Sequence, residues 1–189
     1  MKKIMFNDKY GLTQAVIEGR QTVTRRAVPE KLLECITWYT QEDGAKLIYR
    51  LLANPTYKVG EVVAIAQCYY DVYGYETCIS ERGEKDSGIF NKMFVRAESM
   101  PHQIKITNIR VEHLQDISDE DCSKEGIRKW DHNNNPFPPA YDFINSPQSS
   151  YKTPREAFAA LIDKVSGKGT WESNPLVWVY EFELINSKE

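Results

Sequence analysis

Apolar residues recur along this chain with two different periods, and the switches between them predict its elements. A short apolar run in "KIMFN" predicts an opening strand. Leu12, Ala15, Val16 and Ile17 then recur at helical spacing, and Gly19 sits where a left-handed helix end belongs. "QTVTRRAV" is rich in β-branched residues and predicts a strand stopped by Pro29. Strand alternation there puts Arg20, Thr22, Thr24 and Arg26 on one side, with Gln21, Val23 and Arg25 on the other. "PEKLLECITWYT" predicts a short helix, because Pro29 suits a first helical turn.

"YKVGEVVAIAQCYY" predicts a strand that follows a turn at Gly60. "NKMFVRAE" and "HQIKITNIRVEHLQDI" read as further strands. The second alternates through Ile104 and Ile106, then through Ile109 and Val111, with a break between the pairs. In "SDEDCSKEG", Ser118 and Asp121 have the spacing of a capping box and Gly126 closes the helix. "TPREAFAALIDKVSG" predicts the clearest helix. Thr153 is its N-cap, Pro154 its first residue, and Phe158, Leu161, Ile162 and Val165 its apolar face. "PLVWVYEFEL" predicts a long closing strand. Residues 128–152 show no periodicity and several prolines, the pattern of a lid or binding loop, and their aromatics need somewhere to pack.

About six strands and three helices predict an α+β fold, a small mixed β-barrel with helices at its openings. A chain of 189 residues can bury a sizeable core as one domain with insertions. Its 41% apolar and 12% aromatic content is that of a globular protein. No apolar run approaches the ~20 residues of a membrane span, and the opening run breaks too early for a signal peptide. Four cysteines without a CxxC pair predict free thiols and a cytoplasmic setting.

Charge changes this picture locally. The net charge is −3, yet residues 1–31 carry seven basic groups against three acidic ones. An acidic body with one cationic patch suits a specific anionic ligand better than general phosphate binding. The patch centres on "IEGRQTVTRR".

Four blocks in order carry a resemblance: "AVIEGRQTVTRR", "YKVGEVVAI", "VEHLQDISDEDCSKEGI" and "WESNPLVWVYEFEL". Together they cover 52 of the 189 residues and resemble the ASCH domain proteins of the PUA-like superfamily, in their phage- and prophage-encoded branch. The resemblance implies a PUA-like mixed β-pseudobarrel spanning residues 1–189, with variable insertions near 32–56, 78–92 and 128–152. It also implies a cleft that receives a nucleotide or RNA, lined by the "GRxTxTxR" block. One branch consists of amidohydrolases that deacetylate acetylcytidine with a lysine, a threonine and a glutamate. By motif position the threonine corresponds to Thr24 and the glutamate to Glu125, whereas the lysine position holds Gln21. A neutral amide cannot remove the hydroxyl proton of a threonine nucleophile. Lys3 and Lys105 are the candidates to substitute for that lysine.

The candidate ligand-binding set is therefore Arg20, Gln21, Thr22, Thr24, Arg26, Tyr69 and Glu125, with Thr24 and Glu125 catalytic only in an enzyme. Arginine forks suit phosphate, and Tyr69, Tyr70, Trp130 and Trp171 offer stacking faces. The competing expectation for Arg26 is a structural ion pair with Glu125 or Glu181. Glu125 stands at a helix C-terminus, where the helix dipole disfavours a negative charge, so a nearby arginine is expected. The three histidines show no metal-ligand spacing, and neither a phosphate loop nor a GxSxG elbow occurs. No cofactor or metal is expected. The leading expectation is a nucleotide or RNA binding module. Its rivals are an amidohydrolase on an acylated nucleoside and a phage accessory protein acting through protein contacts.

Overall fold

Two long strands in the C-terminal half form the centre of the architecture, as their length and β-branched content predict. The computed structural model describes residues 1–40, 44–130, 140–143 and 150–185. Its elements run β1 (Lys2–Ile4), α1 (Leu12–Ile17), β2 (Val23–Ala27), α2 (Glu30–Thr40), α3 (Gly44–Ala53), β3 (Val62–Ile65), α4 (Tyr69–Tyr73) and α5 (Tyr75–Arg82). They continue with β4 (Gln103–His113), α6 (Asp119–Lys124), β5 (Arg128–Trp130), β6 (Ala140–Asp142), α7 (Pro154–Ser166), α8 (Thr170–Ser173) and β7 (Leu176–Ile185).

Five strands form a mixed sheet in the order β1-β3-β4-β7-β2, in which only β1 and β3 pair in parallel. β2 and β1 are its two edges. A single side chain links them: the Arg26 guanidinium donates to the carbonyl of Met5, just beyond β1, at 2.6 Å, and no ladder closes the sheet among the described residues. The break predicted within β4 is a register shift between Ile106 and Asn108. One inserted residue lets Ile104 and Ile106, then Ile109 and Val111, keep to the same face despite their change of parity.

The sheet is covered on both faces. On β7, Trp178 and Tyr180 alternate with Val177 and Val179, and all four are buried. Trp178 donates its indole N–H to the carbonyl of Leu51 at 3.1 Å, which anchors α3 on its face. α7 lies against the other face with Phe158 fully buried. A second apolar cluster, including Ala64, Ala66, Tyr69, Cys78, Ile89 and Met100, packs beside β3.

Several elements differ from the sequence-based expectation. "NKMFVRAE" forms two short 3-10 turns, Lys92–Phe94 and Ala97–Ser99, the first capped by Asn91 accepting from the Met93 amide. Met93 and Phe94 are both exposed, so no strand-like alternation of burial exists there. The run after Ile65 leaves the sheet and turns into α4. α3 falls within an expected insertion. The segment after Ile127 contains a two-stranded ribbon, β5 with β6, and Tyr141 bridges to Tyr151. Most of the predicted proline-rich loop lies outside the described residues.

α7 matches its sequence signals closely. Thr153 accepts from the Glu156 amide at 3.1 Å, Pro154 occupies the first turn, and Gly167 ends the helix. Because α7 walls the site described next, its cap has a measurable consequence. Thr153→Ala is expected to lower unfolding free energy by about 1 kcal/mol in urea titration, and an unchanged midpoint would contradict the capping role.

Candidate functional site

The turn that joins α1 to β2 and the end of α6 are held together by one backbone bond, Thr22 N–H to the Lys124 carbonyl at 3.0 Å. This bond brings Gln21 and Glu125 beside the edge strand. Gly126 makes the approach feasible. Its φ is +98°, and a side chain there would begin 3.4 Å from Leu12 Cδ2 and 3.7 Å from Gln21 Oε1. The result is a half-open hollow of about 100 Å³ at the free edge of β2. Gln21, Thr24, Arg25, Arg26 and Glu125 supply its polar wall, while Phe6, Leu12 and the α7 face of Phe158, Leu161, Ile162 and Val165 supply the apolar one. It shares Phe6, Asn7, Arg26 and Val165 with a wider surface groove of about 400 Å³, bordered also by Met5, Asp8, Lys9 and Lys92, where Lys92 pairs with Asp8 at 2.7 Å.

Of the seven expected ligand residues, four therefore meet: Gln21, Thr24, Arg26 and Glu125. The other three do not line the hollow. Arg20 precedes the strand and pairs with Glu18 at 2.5 Å. Thr22 serves through its backbone, between Lys124 and Phe182. Tyr69 is buried in the second apolar cluster, its hydroxyl accepting from the Arg96 amide at 2.9 Å and its ring 3.7 Å beneath Arg82.

Arg25 is the residue that parity hid. Alternation puts it on the opposite face from Thr24 and Arg26, but β2 is an edge strand and the hollow is bordered from both faces. Its guanidinium donates to Glu125 at 3.1 Å, to Glu112 at 2.6 and 3.0 Å, and to Asp121 at 2.9 Å. Arg110 continues the network, joining Glu112 at 3.0 Å and contacting Asp121 and Glu181. The expected ion pair from Arg26 to Glu125 or Glu181 is thus made by other arginines: Arg25 takes Glu125, and Arg110 takes Glu181. Arg110 and Glu112, two apart on β4, were its sequence signal.

Burial pushes Glu125 up to about 7, and the charge and hydrogen bond of Arg25 only partly oppose that rise. Burial would also raise Asp121, but the Arg25 bond and the charges of Arg110, Arg25 and Lys124 bring it below the usual aspartate value. For an acid whose folded pKa lies above its unfolded one, the folded state holds more protons, so its contribution to stability declines as pH rises between the two values. Glu125→Gln removes this titration. From about pH 4.5 to 7, stability of the variant relative to the wild type is expected to rise by about 1–3 kcal/mol. Denaturation midpoints measured across that window check it, and a pH-independent difference would contradict it.

Arg26 presents the opposite case. One Nη donates to Met5 and the guanidinium lies 5.5 Å from the Phe6 ring centre, but its Nε is buried without a partner. Among the described residues, no carboxylate forms an ion pair with it. Burial lowers its pKa, against the weaker fields of Tyr57, Glu125 and Tyr180. Gln21 adds an acceptor: its amide nitrogen reaches Val23 O at 3.1 Å and Glu125 at 3.5 Å, while its buried Oε1 has no partner. The Arg26 guanidinium, with its unpaired Nε, and Gln21, with its unpaired Oε1, thus both border the hollow.

Comparisons with protein-family models, curated proteins and solved structures returned no match.

The candidate chemical groups around the hollow are engaged elsewhere. Neither lysine proposed to reach in does so: Lys3 donates to the carbonyls of Met93 and Val95, and Lys105 pairs with Glu183. Thr24 is buried, and both oxygens of Glu125 are engaged by Arg25 and Gln21. Burial keeps the thiols of Cys68 and Cys122 protonated, at about 11 and about 12. Among the described residues no cluster of His, Cys, Asp and Glu is arranged to hold a metal, and no helix is long and apolar enough to cross a membrane.

Proposed function

We propose that this protein is a nucleotide or RNA binding module of the ASCH, PUA-like type, and that the hollow at β2 receives one base-sized end of its ligand. The observation that carries the reading is Arg26, a half-buried cation beside the Phe6 ring whose buried Nε has no partner among the described residues. Leaving a charged group uncompensated costs stability, and a fold retains that cost most readily where a ligand supplies the missing partner. The 100 Å³ hollow is smaller than the ~300–1,000 Å³ of ordinary small-molecule sites. It suits the edge of a planar group, with the remainder lying in the wider groove beside Lys9 and Lys92.

A nucleobase edge matches the mixture of wall groups. Arg26 would donate, the Gln21 carbonyl would accept, and Thr24 could do either. The one link between the sheet's two edges, the Arg26 bond to the Met5 carbonyl, is what favours the pseudobarrel reading of the fold. Calorimetric titration with nucleosides, nucleoside monophosphates and short RNAs tests the proposal, with saturable binding at one site as the expected result. Acetate release from acetylcytidine, measured alongside, tests the hydrolase alternative. The absence of a lysine among the residues lining the hollow predicts none.

A further inference from the structure

Beyond the hollow, across the wall made by Gln21 and Glu125, lies a larger open groove of about 450 Å³. It is bordered by Arg20, Ser123, Gly126, Arg128, Lys129 and Trp130. The two spaces are neighbours along the chain twice over. Arg20 and Gln21 are consecutive, as are Glu125 and Gly126, and each pair contributes one residue to the groove and one to the hollow.

The groove's chemistry differs from the rest of this acidic chain. Three of the residues bordering it are cationic, with Glu18 beside them, paired to Arg20 and within the field of Arg128. Arg20 meets Glu18 through Nε at 2.6 Å, yet its Nη1 is buried without a partner. Trp130 is 49% exposed, although an indole is among the most favourable groups to bury. An exposed ring among cations is the arrangement that stacks a base while arginine and lysine meet its phosphates. An acidic peptide would use the cations but leave the ring's face without a planar partner.

We infer that this groove holds nucleotides flanking the one in the hollow, so that the ligand is a single-stranded nucleic acid rather than a free nucleotide. The inference rests on the nucleotide-binding reading of the hollow.

The test uses the full chain with three probes: a nucleoside monophosphate, a labelled single-stranded RNA decamer and a polyglutamate decapeptide. The decamer is expected to bind at least about 10-fold tighter than the monophosphate. Trp130→Ala is expected to weaken the decamer about 5- to 100-fold and to leave the monophosphate unchanged, as loss of one stacked base requires. Arg128→Ala is expected to reduce the slope of log affinity against log salt by about 0.7. Equal affinity for decamer and monophosphate, with Trp130→Ala altering neither, would overturn the groove while leaving the hollow intact. Polyglutamate binding as tightly as the decamer would overturn it in favour of an acidic protein partner. Failure of both nucleic-acid probes would remove the hollow's reading and the groove's together.

Discussion

Arg25→Ala is expected to lower unfolding free energy by roughly 3–5 kcal/mol near pH 8, a large part of the stability of a domain this size. The side chain of Arg25 is 1% exposed and meets three carboxylates. Removing it leaves Glu125 buried with only the Gln21 amide at 3.5 Å, and leaves Asp121 and Glu112 to Arg110. The loss should depend on pH. Below about pH 5, Glu125 is neutral in the folded state and has less need of a counter-charge, so the cost should shrink. Adding Glu125→Gln to the alanine variant should recover part of the loss at pH 8, since the two residues share one interaction. Denaturant titrations of both variants at pH 5 and 8 check this. A loss below about 1 kcal/mol, or one independent of pH, would mean that the network is solvated and carries little of the fold.

The distinction between Arg25 and Arg26 also marks the limit of what could be read from the chain alone. Alternation separated the two arginines as the sheet does, and Thr24, Gln21 and Glu125, named by motif position, border one hollow. What alternation could not supply was the place of β2 in the sheet. As an interior strand, β2 would have offered a ligand only one of its faces. As an edge it borders the hollow with both, and Arg25 enters as the partner of Glu125.

Elements with strong local signals were legible: α7 with its threonine cap and proline, β7 with its apolar run, and the parity break of β4. Tyr69 shows the converse. Its aromatic character suggested a stacking face, but burial is decided by neighbours distant in sequence, here Ile89, Val95 and Met100. The 3-10 turns near Met93 likewise follow from local capping by Asn91, which hydrophobic pattern does not register.

Arg26 is where stability and function should part. Arg26→Met removes a partly desolvated cation that no described carboxylate pairs with, while keeping an unbranched apolar stem against Phe6. The bond to Met5 is lost, but so is the cost of desolvating the charge. The unfolding free energy should therefore change by less than about 1 kcal/mol, or increase. Ligand affinity should fall about 10- to 150-fold, the effect of losing a charged hydrogen-bond donor. Arg26→Lys should restore little of it, because a single ammonium cannot reproduce the fork.

The measurement that bears most directly on the whole account is thus a paired one: calorimetric titration of a short single-stranded RNA into wild type and Arg26→Met, with the denaturation midpoint of each recorded in the same buffer. Lost binding at undiminished stability is the predicted result. Undiminished binding, or a variant that loses several kcal/mol of stability, would make Arg26 a structural pin and leave the hollow without its ligand.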